Sequence, residues 1–113
     1  MTTLMPKDAD NNIIPALRLK DGGAHNIASS GSAQRNSISF NQDTKVISLY
    51  ATEAVYIKFG ETDVAATTND HYFPAGLYYD IALSGGGAKG AHYAYISVLQ
   101  VANAGNVFVS EKE

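Results

Sequence analysis

The stretch TKVISLYATEAVYIKFG, residues 44–60, decides the fold, because it holds two runs in which apolar residues recur at every second position. In the first run Ile47, Leu49 and Ala51 lie on one side and Val46, Ser48 and Tyr50 on the other. In the second, Val55, Ile57 and Phe59 oppose Tyr56 and Lys58. Successive side chains of a strand point to opposite faces, so a period of two predicts strands, whereas an amphipathic helix would repeat at three and four. The linker ATEA between the runs is short enough to predict a hairpin.

Working outward, the same pattern persists. A short strand and a turn at PAG are expected within ETDVAATTNDHYFPAG, residues 61–76. LYYDIAL, residues 77–83, resumes the alternation, with Leu77, Tyr79, Ile81 and Leu83 opposing Tyr78, Asp80 and Ala82. HYAYISVLQVA, residues 92–102, is apolar on both faces, as a central strand covered on each side would be. NAGN turns the chain into VFVSEKE, a final strand with a charged end. No stretch carries the helical pattern. The prediction is an all-β chain of about seven to nine strands, given typical strand lengths, folded as an antiparallel β-sandwich or a small barrel, jelly-roll-like.

Aromatic content divides the chain. All eleven Phe and Tyr residues fall at Phe40 or later, while residues 1–39 are rich in Asn, Asp, Ser, Gly and Ala. We therefore expect an extended N-terminal arm with the first edge strands in residues 1–39 and a sandwich body in residues 40–113. Within the arm, NNIIPALRLK sets Ile13, Ile14, Leu17 and Leu19 around Pro15, which cannot donate to a ladder and suits an edge or an extended segment.

At 113 residues the chain suits one domain with a modest core. It has no cysteine, so disulfides and thiolate metal sites are out of reach, in keeping with a reducing cytosol. Neither a signal peptide nor a membrane span is expected. Eight Lys and Arg against eleven Asp and Glu leave a net charge of -3, which disfavours nucleic acid as a partner. Residues 1–40 hold Lys7, Arg18, Lys20 and Arg35 against Asp8, Asp10 and Asp21, so the charge is +1 there and -4 beyond.

Chemistry is hard to find. LSGGGAKGAHY places Gly85, Gly86, Gly87 and Gly90 around Lys89. A phosphate-binding loop of the Walker type needs Ser or Thr after the lysine and a helix to follow, but here Gly90 and a strand follow. The oxyanion glycines of patatin-type lipases need a downstream G-x-S-x-G nucleophile, and the sequence has none. The glycine run is read as a hairpin or crossover loop. His25, His71 and His92 are the three imidazoles; Asp70 beside His71 points to the opposite face of a strand and is poorly placed to act with it, and turn or surface histidines are favoured over a metal site built from His71, His92 and an Asp. No catalytic residue, metal ligand or cofactor is expected, and the chain is read as no enzyme.

Tyrosine is more informative. Tyr50, Tyr56, Tyr78, Tyr93 and Tyr95 fall where a sheet face would carry aromatic surface, and tyrosine combines large contact area with one hydrogen-bonding tip. The candidate assembly interface comprises Ile13, Ile14, Pro15, Leu17 and Leu19 of the arm with Tyr78, Tyr93 and Tyr95 of the body. Protein contact is favoured over a sugar-binding platform, because such platforms usually carry tryptophan and this chain has none.

LYATEAVYIKFG, ATTNDHYFPAGLYYDI and GNVFVSEKE together resemble the small all-β virion proteins of tailed bacteriophages, the head decoration and minor structural proteins. The resemblance covers residues 43–113 and is loose over the start of the arm. It implies a non-enzymatic capsid decoration (cement) protein, made in the host cytoplasm and bound in many copies to the major capsid protein or other virion proteins. It would be a homo-oligomer, a trimer being one possibility, with no membrane or nucleic-acid partner. The alternative expectation is a neck, tail or fibre module that binds carbohydrate or another tail protein.

Overall fold

The computed structural model describes residues 5–83 and 92–113. Eight strands follow in chain order: β1 Leu19–Ser29, β2 Gln34–Arg35, β3 Val46–Ala51, β4 Val55–Gly60, β5 His71–Phe73, β6 Tyr78–Ala82, β7 Tyr95–Gln100 and β8 Gly105–Lys112. Among the described residues there is no helix, and so none long and apolar enough to cross a membrane. The strands form two four-stranded antiparallel sheets, ordered β1-β8-β3-β6 and β2-β7-β4-β5. Residues 84–91, which contain the glycine run with Lys89, lie outside the described residues.

The alternation of residues 44–60 is realised as strands, but the expected hairpin is not. β3 pairs with β6 and β8, whereas β4 pairs with β5 and β7. The short ATEA link is a corner that carries the chain from one sheet to the other. A two-residue hairpin turn needs residues that tolerate positive φ, typically Asn-Gly or Asp-Gly, and Thr52-Glu53 offers neither. Thr52 instead bonds across to β8, its N–H donating to Asn106 O at 2.9 Å.

Apolar faces meet between the sheets. Ile47, Leu49, Val107 and Val109 from one sheet pack with Val55, Ile57, Ile96 and Val98 from the other, all at most 5% exposed, and Phe40 joins the same cluster. The register explains the incomplete burial of β6. Tyr79 and Ile81 lie opposite Leu49 and Ile47 and so share their core-facing side, yet Tyr79 is 55% exposed because β6 is the last strand of its sheet. β7 is internal and covered on both sides. Its Ile96 and Val98 face the core, and Ser97 on the opposite face is also buried, its Oγ accepting a bond from the Ala66 N–H at 2.9 Å.

β1 carries an irregularity between Leu19 and Ala24. Gly22 there has φ 76°, a region that favours glycine. Its neighbour Gly23 is constrained by space, since a Cβ on it would come within 2.9 Å of Glu111 Cβ. We expect Gly23→Ala to cost about 1–3 kcal/mol through overpacking, read as a lower urea midpoint. Unchanged stability would show that β1 can move away from Glu111.

Candidate functional site

Ladder partners share a face, so the register can be read across a sheet. Asn26 lies opposite Phe108, Phe108 opposite Tyr50, and Tyr50 opposite Tyr78. These four residues form one row over β1, β8, β3 and β6 on the side away from the core, with neighbouring strands about 4.8 Å apart. Three of the four are aromatic and open to solvent: Phe108 is 45% exposed, Tyr50 36% and Tyr78 59%. The Tyr78 ring is held in place, since its hydroxyl donates to Ser48 Oγ at 2.7 Å. Lys112 Nζ lies 5.8 Å from the centre of the Tyr78 ring and 2.9 Å from Asp80 Oδ1. This row is an amphipathic surface of the kind that protein interfaces favour.

The outer face of the other sheet is less open. Leu99, Tyr56 and Tyr72 form a comparable row, with the Tyr56 and Tyr72 rings edge-on at 6.3 Å. Of these, Tyr72 is exposed while Tyr56 and Leu99 are half-buried. Tyr95 lies under the Arg35 guanidinium, 4.2 Å from its ring centre, and that side chain is anchored by donating to the carbonyls of Thr62 and Asn36. Tyr93 stacks on Phe59 at 5.7 Å.

The residues expected at the interface are not gathered in one patch. Ile13, Ile14, Pro15 and Leu19 are exposed and Leu17 half-buried. They lie before or at the start of β1, at one edge of the sheet, whereas Tyr78 is on β6 at the other edge, and Tyr93 and Tyr95 belong with the second sheet. The segment before β1 folds back on itself through a bridge between Lys7 and Ile13. In that turn Asp8 Oδ1 accepts bonds from the N–H groups of Asp10 and Asn12, and these hold the Asp8 carboxyl below its usual pKa. Sequence reasoning missed Phe108, although its place between Val107 and Val109 marks it as the outward residue of an alternating strand.

A second feature is buried. Glu111 is 3% exposed on the core side of β8. Its Oε2 accepts a bond from His25 Nε2 at 2.9 Å, and its Oε1 accepts from Thr44 Oγ at 2.6 Å and from the Asn41 N–H at 2.9 Å. Burial raises the pKa of such a carboxyl, but the bonds from Thr44, His25 and Asn41 outweigh it, and the net shift is downward. His25, to which the sequence assigns no role, is buried with it. Its side chain is 8% exposed, and its ring meets Phe40 edge-on at 5.0 Å. An open groove of about 370 Å³ runs beside the pair, lined in part by Lys20, Gly22, Phe40 and Gln42. His71 is exposed on β5, and His92 Nε2 donates to Thr44 O at 2.9 Å. Among the described residues no three His, Asp or Glu side chains converge as a metal site would require.

No family model, curated protein or solved structure matches this chain. Glu111 and His25 bind together β1, β8 and the turn before β3, and both are engaged in doing so. The aromatic row is different: among the described residues, Phe108, Tyr50 and Tyr78 stay open to solvent.

Proposed function

We propose that the chain is a non-enzymatic structural protein of a tailed-bacteriophage particle, a capsid decoration protein that binds the assembled head. The observation that carries this reading is the row of Phe108, Tyr50 and Tyr78, three exposed aromatics in register across one sheet. Rigid aromatic side chains supply much of the binding energy at protein interfaces. Copies that bury such a row only on the finished shell would stabilise the shell by mass action.

Two finer features of the fold support the same reading. β1 pairs with β8, β2 with β7, β3 with β6 and β4 with β5. Nested pairs of this kind describe one long hairpin ribbon, and rolling it up brings β8 against β3 and β7 against β4. We infer a jelly roll, an architecture common to viral capsid and lectin domains. We also infer that residues preceding β1 act as an arm. The radius of gyration is 14.9 Å, against about 13 Å for a compact domain of this length, and Ile13 and Ile14 stand exposed.

The test is co-sedimentation with particles lacking the chain, comparing the wild type with the Tyr50→Ser/Phe108→Ser double variant. Both residues are solvent-facing, so the variant should fold normally while its occupancy falls by about tenfold or more, as expected when hot-spot aromatics are lost. Equal occupancy would remove the row from the interface. A truncation lacking residues 1–16 measures the arm separately. A glycan array run with the same proteins covers the tail-module reading: selective sugar binding that the double variant loses would favour carbohydrate over capsid.

A further inference from the structure

An edge strand leaves main-chain N–H and C=O groups unpaired, and these can be completed by another chain. The edges of the sheet that carries the aromatic row are β1 and β6. The hydrogen-bond phase fixes which residues face outward. Arg18 and Glu113 exchange both main-chain bonds, and Thr52 N–H donates to Asn106 O. In an antiparallel ladder such bonds recur at every second residue. Odd-numbered residues of β8 therefore turn toward β1 and even-numbered ones toward β3. It follows that His25 and Ile27, opposite Val109 and Val107, bond to β8, while Ala24, Asn26 and Ala28 turn their main-chain groups away from it. On β6, Leu83 N–H donates to Lys45 O, so Tyr78, Asp80 and Ala82 are the outward residues there.

The two edges differ in charge. Proteins guard exposed edges with charge, proline or a bulge. β1 has its bulge and its charges, Lys20 and Asp21, before Ala24. Between Ala24 and Ala28 it carries no proline, lysine or carboxylate, and the imidazole of His25 is turned inward to Glu111. β6 carries Asp80 at its centre. If β6 paired with itself about a two-fold axis, Asp80 would meet Asp80 of the second copy, a like-charge pair. If β1 paired with itself about Asn26, two amides able to bond each other would meet at the axis, with Ala24 opposite Ala28 of the second copy on either side.

The geometry points to a two-fold dimer of this chain, in which β1 pairs antiparallel with β1 of a second copy through Asn26. The sheet then runs continuously across the axis. Its outer face carries the row Tyr78, Tyr50, Phe108 and Asn26 onward into the same row of the second copy. This deepens the assembly reading and rests on it, but the purified protein tests it without any particle.

The experiment uses the natural absence of cysteine. At a two-fold hydrogen-bonded pair the Cα atoms lie about 5.5 Å apart, within the disulfide range of about 4.4–6.8 Å. Asn26→Cys should therefore give a disulfide-linked dimer on mild oxidation, while Asp80→Cys on the other edge stays monomeric. Sedimentation of the wild type should show a concentration-dependent dimer. Asn26→Lys, which keeps every ladder bond within the chain, should weaken that dimer by about tenfold or more through like-charge opposition. A wild type that remains monomeric would overturn the proposal. So would cross-linking through Asp80→Cys instead of Asn26→Cys, or an unaltered dimer in Asn26→Lys. Intact dimers that bind no particle would leave this interface standing and sink the capsid reading.

Discussion

Replacing Glu111 with alanine lowers the unfolding free energy by about 3 kcal/mol or more, because three donors lose the buried carboxylate they bond to, at about 1–3 kcal/mol for each group left unsatisfied. The loss is large because one carboxylate serves three segments. It takes a bond from His25 on β1, from Thr44 and from the Asn41 main chain, all at 2.9 Å or less. Alanine would leave the Asn41 N–H, the Thr44 hydroxyl and the His25 ring without the acceptor that joins them beside the groove. For a domain near this size the expected fall in melting temperature is on the order of 10–20 °C. A fall of only a few degrees would mean that the three donors find new partners.

The same residue sets the acid sensitivity. The folded pKa of Glu111 is held below its ordinary 4.5, so the folded state favours the ionised form. Its contribution is therefore complete above pH 4.5 and is lost as the pH falls through the lower folded value. Asp8, exposed, and Asp70, half-buried, are shifted in the same direction by bonds from Asn12 and Thr67, but those bonds close local turns and join no distant segments. Glu111→Gln keeps the shape and removes the charge. Its stability should change less than the wild type's between neutral pH and pH 3, and parallel curves would assign the acid sensitivity to other groups.

Replacing Leu49 with alanine costs about 2–5 kcal/mol, the range for deleting a fully buried leucine side chain. Leu49 is 0% exposed at the middle of β3, with Val109 on one side and Tyr79 on the other in the ladder. Its chain neighbour Tyr50 points the opposite way and is 36% exposed. Tyr50→Ser should therefore change stability by less than about 1 kcal/mol, as surface substitutions usually do. Urea midpoints separate the two variants. Because a one-residue slip exchanges the faces of a strand, a larger loss at Tyr50 than at Leu49 would contradict the register of β3.

The alternation of residues 44–60 made strand character and the inward residues legible, because period two is a local property of the chain. Strand pairing was not legible. β3 and β4 are adjacent in sequence yet lie in different sheets, and their main partners come from the C-terminal part of the chain, so the corner at Thr52-Glu53 reads like a short hairpin link. The aromatic row was partly visible. Tyr78 stood out by residue type, but Phe108 and Tyr50 join it only through registers that bring residues 50, 78 and 108 side by side. His25 and Glu111 are 86 positions apart, and each looks like an ordinary surface residue in its own segment. Only the bulged β1 and the close approach at Gly23 bring them together.

The central claim is that this chain is a building block of a particle. An electron micrograph of tailed-phage particles carrying a label on the chain tests it most directly. The account predicts a regular array of label over the head shell, lost in the Tyr50→Ser/Phe108→Ser variant. Particles without label, or label confined to the tail, would contradict it.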